Sequence, residues 1–313
     1  MTTLVPLGRS DLRVSRLCFG GNVFGWTIDE PTSFAVLDAF VAGGGNFIDT
    51  ADVYSAWAPG HQGGESELIL GRWMRARGNR ASIVLATKVG HQMGHGGKGL
   101  RADYIARAVE DSLRRLQTDY IDLYQAHIDD EETPLEETLT AFDALVKAGK
   151  VRTLGASNYT AARLRAALDA STAHGLTRYE CLQPRYNAAD RDFERELAPL
   201  CQAEHVGVIP YSSLASGFLT GKYRPDQPLP ESKRAGGVQS RYMNEAGFAV
   251  LAQVEGLARA HGATPGQIAL AWLLAQPAVT APIASATSVA QTEEMLGALQ
   301  LKVPVDLGAG THR

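Results

Sequence analysis

The chain has 313 residues, 45% of them hydrophobic and 20% charged, which supplies a large core and excludes a wholly disordered chain. Lys and Arg number 30 against 34 Asp and Glu, so the formal net charge of −4 argues against nucleic acid or an anionic membrane surface as partner. The densest apolar run, Ile268 to Ala275, is far short of the ~18 residues a membrane helix needs, and the stretch Met1 to Asp11 lacks the charged start and apolar centre of a signal peptide.

In chain order, Leu4 to Val14 reads as a hairpin turning at Gly8-Arg9-Ser10-Asp11, placed to plug one end of a barrel built from the later strands. Eight short apolar runs then read as strands: Leu17–Gly20, Asn46–Thr50, Ile83–Thr87, Tyr120–Ala126, Val151–Ala156, Tyr179–Gln183, Val206–Tyr211 and Val279–Ala284. The first seven begin 27 to 37 residues apart, the length of one strand, one helix and two loops; the last interval is 73. Between them, Tyr104 to Leu116 carries Ile105, Ala108, Val109, Ser112, Leu113 and Leu116 on one helical face. A second helix begins at Thr264-Pro265-Gly266-Gln267, with a capping hydroxyl, a first-turn proline and Gln at the capping-box position, and stops before Pro277. Eight strands alternating with helices predict an α/β fold, a (β/α)8 TIM barrel with an N-terminal hairpin, the whole of 1–313 forming a single domain. The long interval must hold extra helix and a loop from Ser212 to about Glu245.

In such a barrel the C-terminal strand ends converge on one mouth. Asp49 ends the second strand with Tyr54 just beyond, Lys88 follows the third, and His127 follows the fourth. The set has a specific chemistry. A Lys ammonium favours phenolate and draws a Tyr down from its ordinary pKa near 10. Asp49 would keep Lys88 charged, Tyr54 would donate a proton to a developing alkoxide, and His127 would orient the substrate oxygen. None of the four side chains is redox-active, so a reduction there needs an external source of electrons, and a nicotinamide would supply a hydride. Taken singly, each of these residues is more often surface or packing; the joint placement at successive strand ends carries the argument.

Two other patterns are set aside. Gly94 to Gly99 formally fits G-x-G-x-x-G, but six residues separate it from the strand and Asp119 precedes its own strand, so it reads as a flexible loop. His61, His91 and His95 lack an accompanying acid or Cys, and no metal is expected. The three cysteines, Cys18, Cys181 and Cys201, are odd in number and widely spaced; free thiols in a reducing cytoplasm are the expectation.

The stretch Gly45-Asn46-Phe47-Ile48-Asp49-Thr50-Ala51-Asp52-Val53-Tyr54 resembles a characteristic segment of the aldo-keto reductase superfamily. Leu85 to Lys88, Asp122 to His127, Gly155 to Asn158, Gln183, Ile209 to Leu214 and Gly217 to Lys222 extend the similarity over most of the chain. It is nearest to the bacterial branch that also resembles potassium-channel β-subunits. The resemblance implies NAD(P)H-dependent reduction of an aldehyde or ketone, with Tyr54 as general acid, Lys88 and Asp49 as its tuning pair and His127 orienting the carbonyl. It implies that Gly21, Ser157, Asn158, Gln183 and Tyr211 surround the nicotinamide and that Ser212, Leu214, Gly217 and Lys222 hold the pyrophosphate. Ser285, Thr287, Ser288, Gln291, Glu294 and Met295 align with the segment that grips the adenosine 2′-phosphate, and Trp26 and Trp57 with the substrate pocket. One departure is informative. Relatives carry Lys or Arg in that last segment, and here none occurs between Arg259 and Lys302. NADP binding would then draw on hydroxyls, helix N–H groups and Lys222, Arg224, Lys233 or Arg234, and NAD is the alternative cofactor. The small-molecule partner is a carbonyl or alcohol. An alcohol- or sugar-oxidising direction, a cofactor-binding sensor subunit with little turnover, and a Schiff-base aldolase using Lys88 are the competing readings; pairing with Asp49 argues against the last.

Overall fold

The computed structural model of the chain describes residues 3–307, so the ends of the 1–313 domain expected from the sequence lie outside the described residues. Val5–Pro6 (β1) and Arg13–Val14 (β2) pair antiparallel, with Val5 opposite Val14. Their turn passes so close to the Glu180 carbonyl that a Cβ on Gly8 would lie 2.2 Å from its oxygen, which is why glycine stands there. Leu7, Leu12 and Val14 are buried against Cys18, Phe47, Val84, Leu123 and Cys181, the inward-facing side chains near the strand starts. The hairpin therefore closes the N-terminal end of the barrel with apolar surface.

Eight parallel strands complete the sheet: Cys18–Gly20 (β3), Phe47–Asp49 (β4), Val84–Val89 (β5), Ile121–Ala126 (β6), Val151–Ser157 (β7), Tyr179–Gln183 (β8), Gly207–Val208 (β9) and Ile283–Ala284 (β10). Their order is β10-β3-β4-β5-β6-β7-β8-β9. The ring closes where Val208 bridges to Val279 and the Ile283 N–H donates to the Pro210 carbonyl at 2.9 Å. Helices Glu30–Ala42 (α1), Glu65–Arg77 (α2), Ala102–Leu116 (α3), Leu135–Lys147 (α4), Ala161–His174 (α5) and Leu197–Glu204 (α6) connect successive strands. The long last interval holds Ala235–Tyr242 (α7), Glu245–His261 (α8) and Pro265–Ala275 (α9), and Val289–Gly297 (α10) comes after β10. The fold is a (β/α)8 TIM barrel.

Both expected helices form, the one read from periodicity and the one read from its capping pattern. α3 begins two residues earlier than expected and buries Ile105, Ala108, Val109, Ser112, Leu113 and Leu116. α9 has its capping box: Thr264 Oγ1 accepts from the Gln267 N–H at 3.2 Å and Gln267 Oε1 accepts from the Thr264 N–H at 3.0 Å. The last two strands are shorter than expected. Pro210 and Pro282 carry no N–H, so the ladder is interrupted there, although both carbonyls still accept bonds from the neighbouring strand. Asn46, expected in β4, instead ties the barrel to the hairpin: its Oδ1 accepts from the Ser15 N–H and its Nδ2 donates to the Arg13 carbonyl. β5 runs two residues beyond its expected end, through Lys88.

Alternation decides what faces inward. On β5, Val84 and Ala86 belong to the barrel interior while Leu85 and Val89 pack under the helices. Lys88 continues the inward set. On β4, Phe47 faces inward and Ile48 outward, which turns Asp49 into the same interior.

Candidate active site

Asp49 and Lys88 meet at the floor of the C-terminal mouth. Lys88 Nζ donates to Asp49 Oδ2 at 2.6 Å, to the Thr50 carbonyl at 2.8 Å and to the Tyr54 hydroxyl at 2.9 Å. All three ammonium hydrogens are thereby used. The other carboxylate oxygen of Asp49 accepts from Gln183 Nε2 at 2.9 Å and Gln125 Nε2 at 3.1 Å. Burial disfavours the charge on Lys88, but Asp49 and then Tyr54 outweigh it and hold its pKa above the ordinary value. Lys88 stays a cation.

Tyr54 is placed by the turn after β4. The Asp52 N–H donates to the Lys88 carbonyl at 3.2 Å and the Tyr54 N–H to the Ala51 carbonyl at 3.2 Å. Ser55, at φ +73°, anchors the turn through a 2.7 Å bond to the Phe24 carbonyl. The expectation that Lys88 draws the phenol below its usual pKa is not met. Burial of the hydroxyl dominates and, with Asp49 adding to it, pushes Tyr54 up to about 12 against the opposing pull of Lys88. Tyr54 is thus a protonated donor across the neutral range.

His127 stands with its ring 5.9 Å from that of Tyr54. Burial, then Lys88 and His91, lower its pKa well below the usual value, so the imidazole is neutral. Its Nδ1 is buried and has no hydrogen-bond partner among the described residues.

These residues form the floor of a cleft of about 1390 Å³. Asp49, Tyr54 and His127 line it, with Lys88 directly beneath. Ser157, Asn158, Gln183 and Tyr211 form one wall: the Tyr211 hydroxyl donates to Asn158 Oδ1 at 2.8 Å, and Asn158 Nδ2 donates to the His127 carbonyl at 2.9 Å. Ser212, Leu214, Gly217 and Lys222 continue it. Asn158, Ser212 and Ser216 take φ values of +61°, +56° and +57°, strain gathered beside the cleft. Ser285, Thr287, Gln291, Glu294 and Met295 line the far end, around the start of α10. Trp26 and Trp57 meet edge to face at 5.4 Å, and Trp57 also meets Tyr54 at 5.9 Å.

Besides Lys88, two of the residues expected around the cofactor are not at the cleft surface. Gly21 lies behind its neighbours Gly20 and Asn22, where a Cβ would come within 3.0 Å of the Asp49 carbonyl. Ser288 caps α10 by accepting from the Gln291 N–H. Gln183 is at the surface, but its amide nitrogen is already bound to Asp49. The polar groups of the far end are also paired internally: Ser285 Oγ with Asn22 Oδ1 at 2.7 Å, Thr287 with Gln291, and Glu294 with Thr264.

Of the loop cations, Arg224 pairs with Glu255 at 2.7 Å and does not line the cleft. Lys222, Lys233 and Arg234 do line it. Lys233 donates to the Trp26 carbonyl at 3.0 Å. Lys222 and Arg234 have no carboxylate partner among the described residues. Burial lowers the pKa of each, and Arg234 depresses Lys222 further. They bring positive charge to a cleft whose carboxylates, Asp49, Glu231 and Glu294, form no ion pair with them. Sequence reasoning missed Gln125 as a support of Asp49, although it lies two residues beyond Leu123 on the inward face of β6. It also missed His91, whose ring stands 4.4 Å from that of His127.

The family model described as the aldo/keto reductase family matches residues 16–306. An oxidoreductase of Bacillus subtilis (strain 168) named YrpG is 34% identical, with 96% of this chain and 92% of that protein covered. The protein Tas of Escherichia coli (strain K12) is 35% identical over 95% of this chain and 93% of its own length. The norsolorinic acid reductase stcV of Emericella nidulans is 35% identical over 96% of this chain and 77% of that protein. The chain belongs to the aldo/keto reductase family and is an oxidoreductase.

Proposed function

We propose that the protein catalyses the reversible, NAD(P)H-dependent reduction of an aldehyde or ketone to an alcohol. The observation that carries this reading is the 2.9 Å bond from Lys88 to a protonated Tyr54 hydroxyl, on a cleft floor shared with a neutral His127. The residues fit a dinucleotide. The cleft reaches the first turn of α10 and is lined by two cations without a carboxylate partner, Lys222 and Arg234.

When bound, the dihydronicotinamide supplies the hydride that no side chain here can. His127 donates a hydrogen bond to the carbonyl oxygen and fixes its place beside Tyr54. As negative charge grows on that oxygen, Tyr54 gives up its phenolic proton to it. An alkoxide is far more basic than a phenolate, so a phenol held near 12 transfers its proton downhill. Lys88 stabilises the phenolate left behind, and Asp49, held on its other oxygen by Gln183 and Gln125, keeps Lys88 in place. Ser157, Asn158, Gln183 and Tyr211 form the nicotinamide side of this reading, and Ser212, Leu214, Gly217 and Lys222 the pyrophosphate side. Ser285, Thr287, Gln291, Glu294 and Met295 form the adenosine side, and Trp26 and Trp57 the substrate walls; Gly21 and Ser288 act from behind, as a close backbone approach and as the cap of α10.

NADPH is the primary reading, with Arg234 as the cleft cation left for a 2′-phosphate when Lys222 serves the pyrophosphate. NADH is the second reading, favoured by the uncharged Ser285, Thr287 and Met295. All three cysteines are buried free thiols, in keeping with a cytoplasmic protein. No helix among the described residues is long and apolar enough to cross a membrane. Fluorescence titration of the purified protein with each nucleotide tests the proposal: tighter NADPH binding supports the primary reading, equal or tighter NADH binding the second, and binding of neither overturns both. The aldolase reading is separated by borohydride treatment with substrate, which should leave Lys88 unmodified because its three hydrogens are held and its charge is paired.

A further inference from the structure

His91 is a second imidazole at the reacting position. It lies in the loop just after β5, three residues past Lys88, half-buried in the wall of the cleft. Its ring meets that of His127 edge to face, at 4.4 Å and 85°. Among the described residues neither of its ring nitrogens has a hydrogen-bond partner. The rings of Trp26, Trp57, Tyr54, His127 and His91 thus form a continuous series around the place where a carbonyl oxygen would sit, and its last member is polar.

Resting on the reductase reading, we propose that His91 is a specificity-determining residue that hydrogen-bonds a hydroxyl on the carbon next to the substrate carbonyl, so that the preferred substrates are α-hydroxy aldehydes and ketones.

The argument is one of position and pairing. The carbonyl oxygen lies between Tyr54 and His127, so a group one carbon further on, extending past His127, meets His91. In the open cleft, water satisfies the His91 nitrogens. A bound substrate expels that water, and an apolar substituent then leaves the imidazole unpaired. A hydroxyl replaces the water's bond to the nitrogen that faces the substrate instead. Burial and the nearby Lys88 lower the pKa of His91, so the ring is neutral and offers one donor and one acceptor. A hydroxyl both donates and accepts, so it pairs with whichever nitrogen faces the substrate in either tautomer.

The test compares kcat/KM for 2-hydroxypropanal and propanal, a pair differing by that one oxygen, with NADPH in the wild-type protein and in His91→Phe, His91→Leu and His91→Gln. Phe and Leu remove the hydrogen-bonding atoms, and the ratio of the two kcat/KM values should fall about three- to tenfold. Gln keeps a donor and an acceptor, and the ratio should be largely restored. NADPH titration of each variant reports that the barrel is intact, and Leu covers the case in which the larger Phe disturbs His127. A ratio unchanged within about twofold in both Phe and Leu variants overturns the assignment of His91 alone. A wild-type protein that binds NADPH but reduces neither aldehyde overturns the reductase reading, and this assignment with it.

Discussion

Lys88 and Asp49 form an ion pair of 2.6 Å in which the two side chains are 0% and 1% exposed. Such a pair is a poor source of stability, because removing both charges from water costs about as much as their attraction returns. Its geometry has a different use. Asp49 takes four polar contacts on two oxygens, from Lys88, Gln125, Gln183 and, at 3.5 Å, the Tyr54 hydroxyl. Four elements of the barrel are thereby locked around one phenol.

Removing one partner should be far worse than removing both. Lys88→Met leaves Asp49 as a buried unpaired charge and should lower unfolding free energy by about 3–5 kcal/mol in urea titration. The double variant Lys88→Met, Asp49→Asn should recover much of that stability while remaining inactive in carbonyl reduction. A double variant no more stable than the single one would show that the pair is not coupled as its geometry requires.

Tyr54→Phe keeps the ring and its contacts with Trp57 and His127 and removes only the proton donor. Reduction should fall by about 10²–10⁴-fold, the usual worth of a positioned general acid. Nucleotide affinity should change by less than about threefold, since the Tyr54 hydroxyl is partnered by Lys88 and Asp49 and by none of the residues assigned to the dinucleotide. Wild-type turnover in this variant would remove Tyr54 from the mechanism.

The pH dependence rests on two shifts of opposite sign. Tyr54 is raised from 10.0 to about 12 in the folded protein, so it keeps its proton where an unfolded tyrosine would lose it. That contribution to stability is complete below pH about 10 and is lost as pH rises toward about 12. Burial shifts Tyr104 and Tyr159 in the same direction. His127 is lowered, so its contribution is present above pH about 6.5 and is lost as pH falls below that value. The reductive kcat/KM should therefore be level between pH about 6.5 and about 10. An alkaline fall centred near pH 8 would contradict the assignment of Tyr54 as a high-pKa donor.

The floor of the site is legible in the sequence because it sits on regular elements. Asp49 and Lys88 lie on strands of strict alternation, so their shared inward face follows from Phe47, Val84 and Ala86. The capping box of α9 is legible for the same reason, being a local pattern with one geometry. The parts that escape depend on contacts between distant segments. Nothing near Gln125 indicates that its amide meets Asp49, 76 positions away. The pull of Lys88 on Tyr54 has the sign expected from the sequence, yet burial, which no local pattern reports, is larger and reverses the outcome. His91 reads in the sequence only as a metal-ligand candidate, since its neighbour His127 is 36 positions away and faces it only after β5 and β6 pair.

The uncharged far end of the cleft gives the last prediction. Thr287 is partnered by Gln291 beside the start of α10, and neither residue brings positive charge to a 2′-phosphate. If the adenosine end lies there, Thr287→Arg adds a charge-assisted bond that only NADPH can use, because NADH has a hydroxyl in that position. NADPH affinity should rise about tenfold and NADH affinity should stay level, read by paired fluorescence titrations at one salt concentration. An equal rise for both nucleotides would place the added charge near the pyrophosphate instead. That outcome would also leave the 2′-phosphate to Arg234, whose replacement by Ala should then abolish any preference for NADPH.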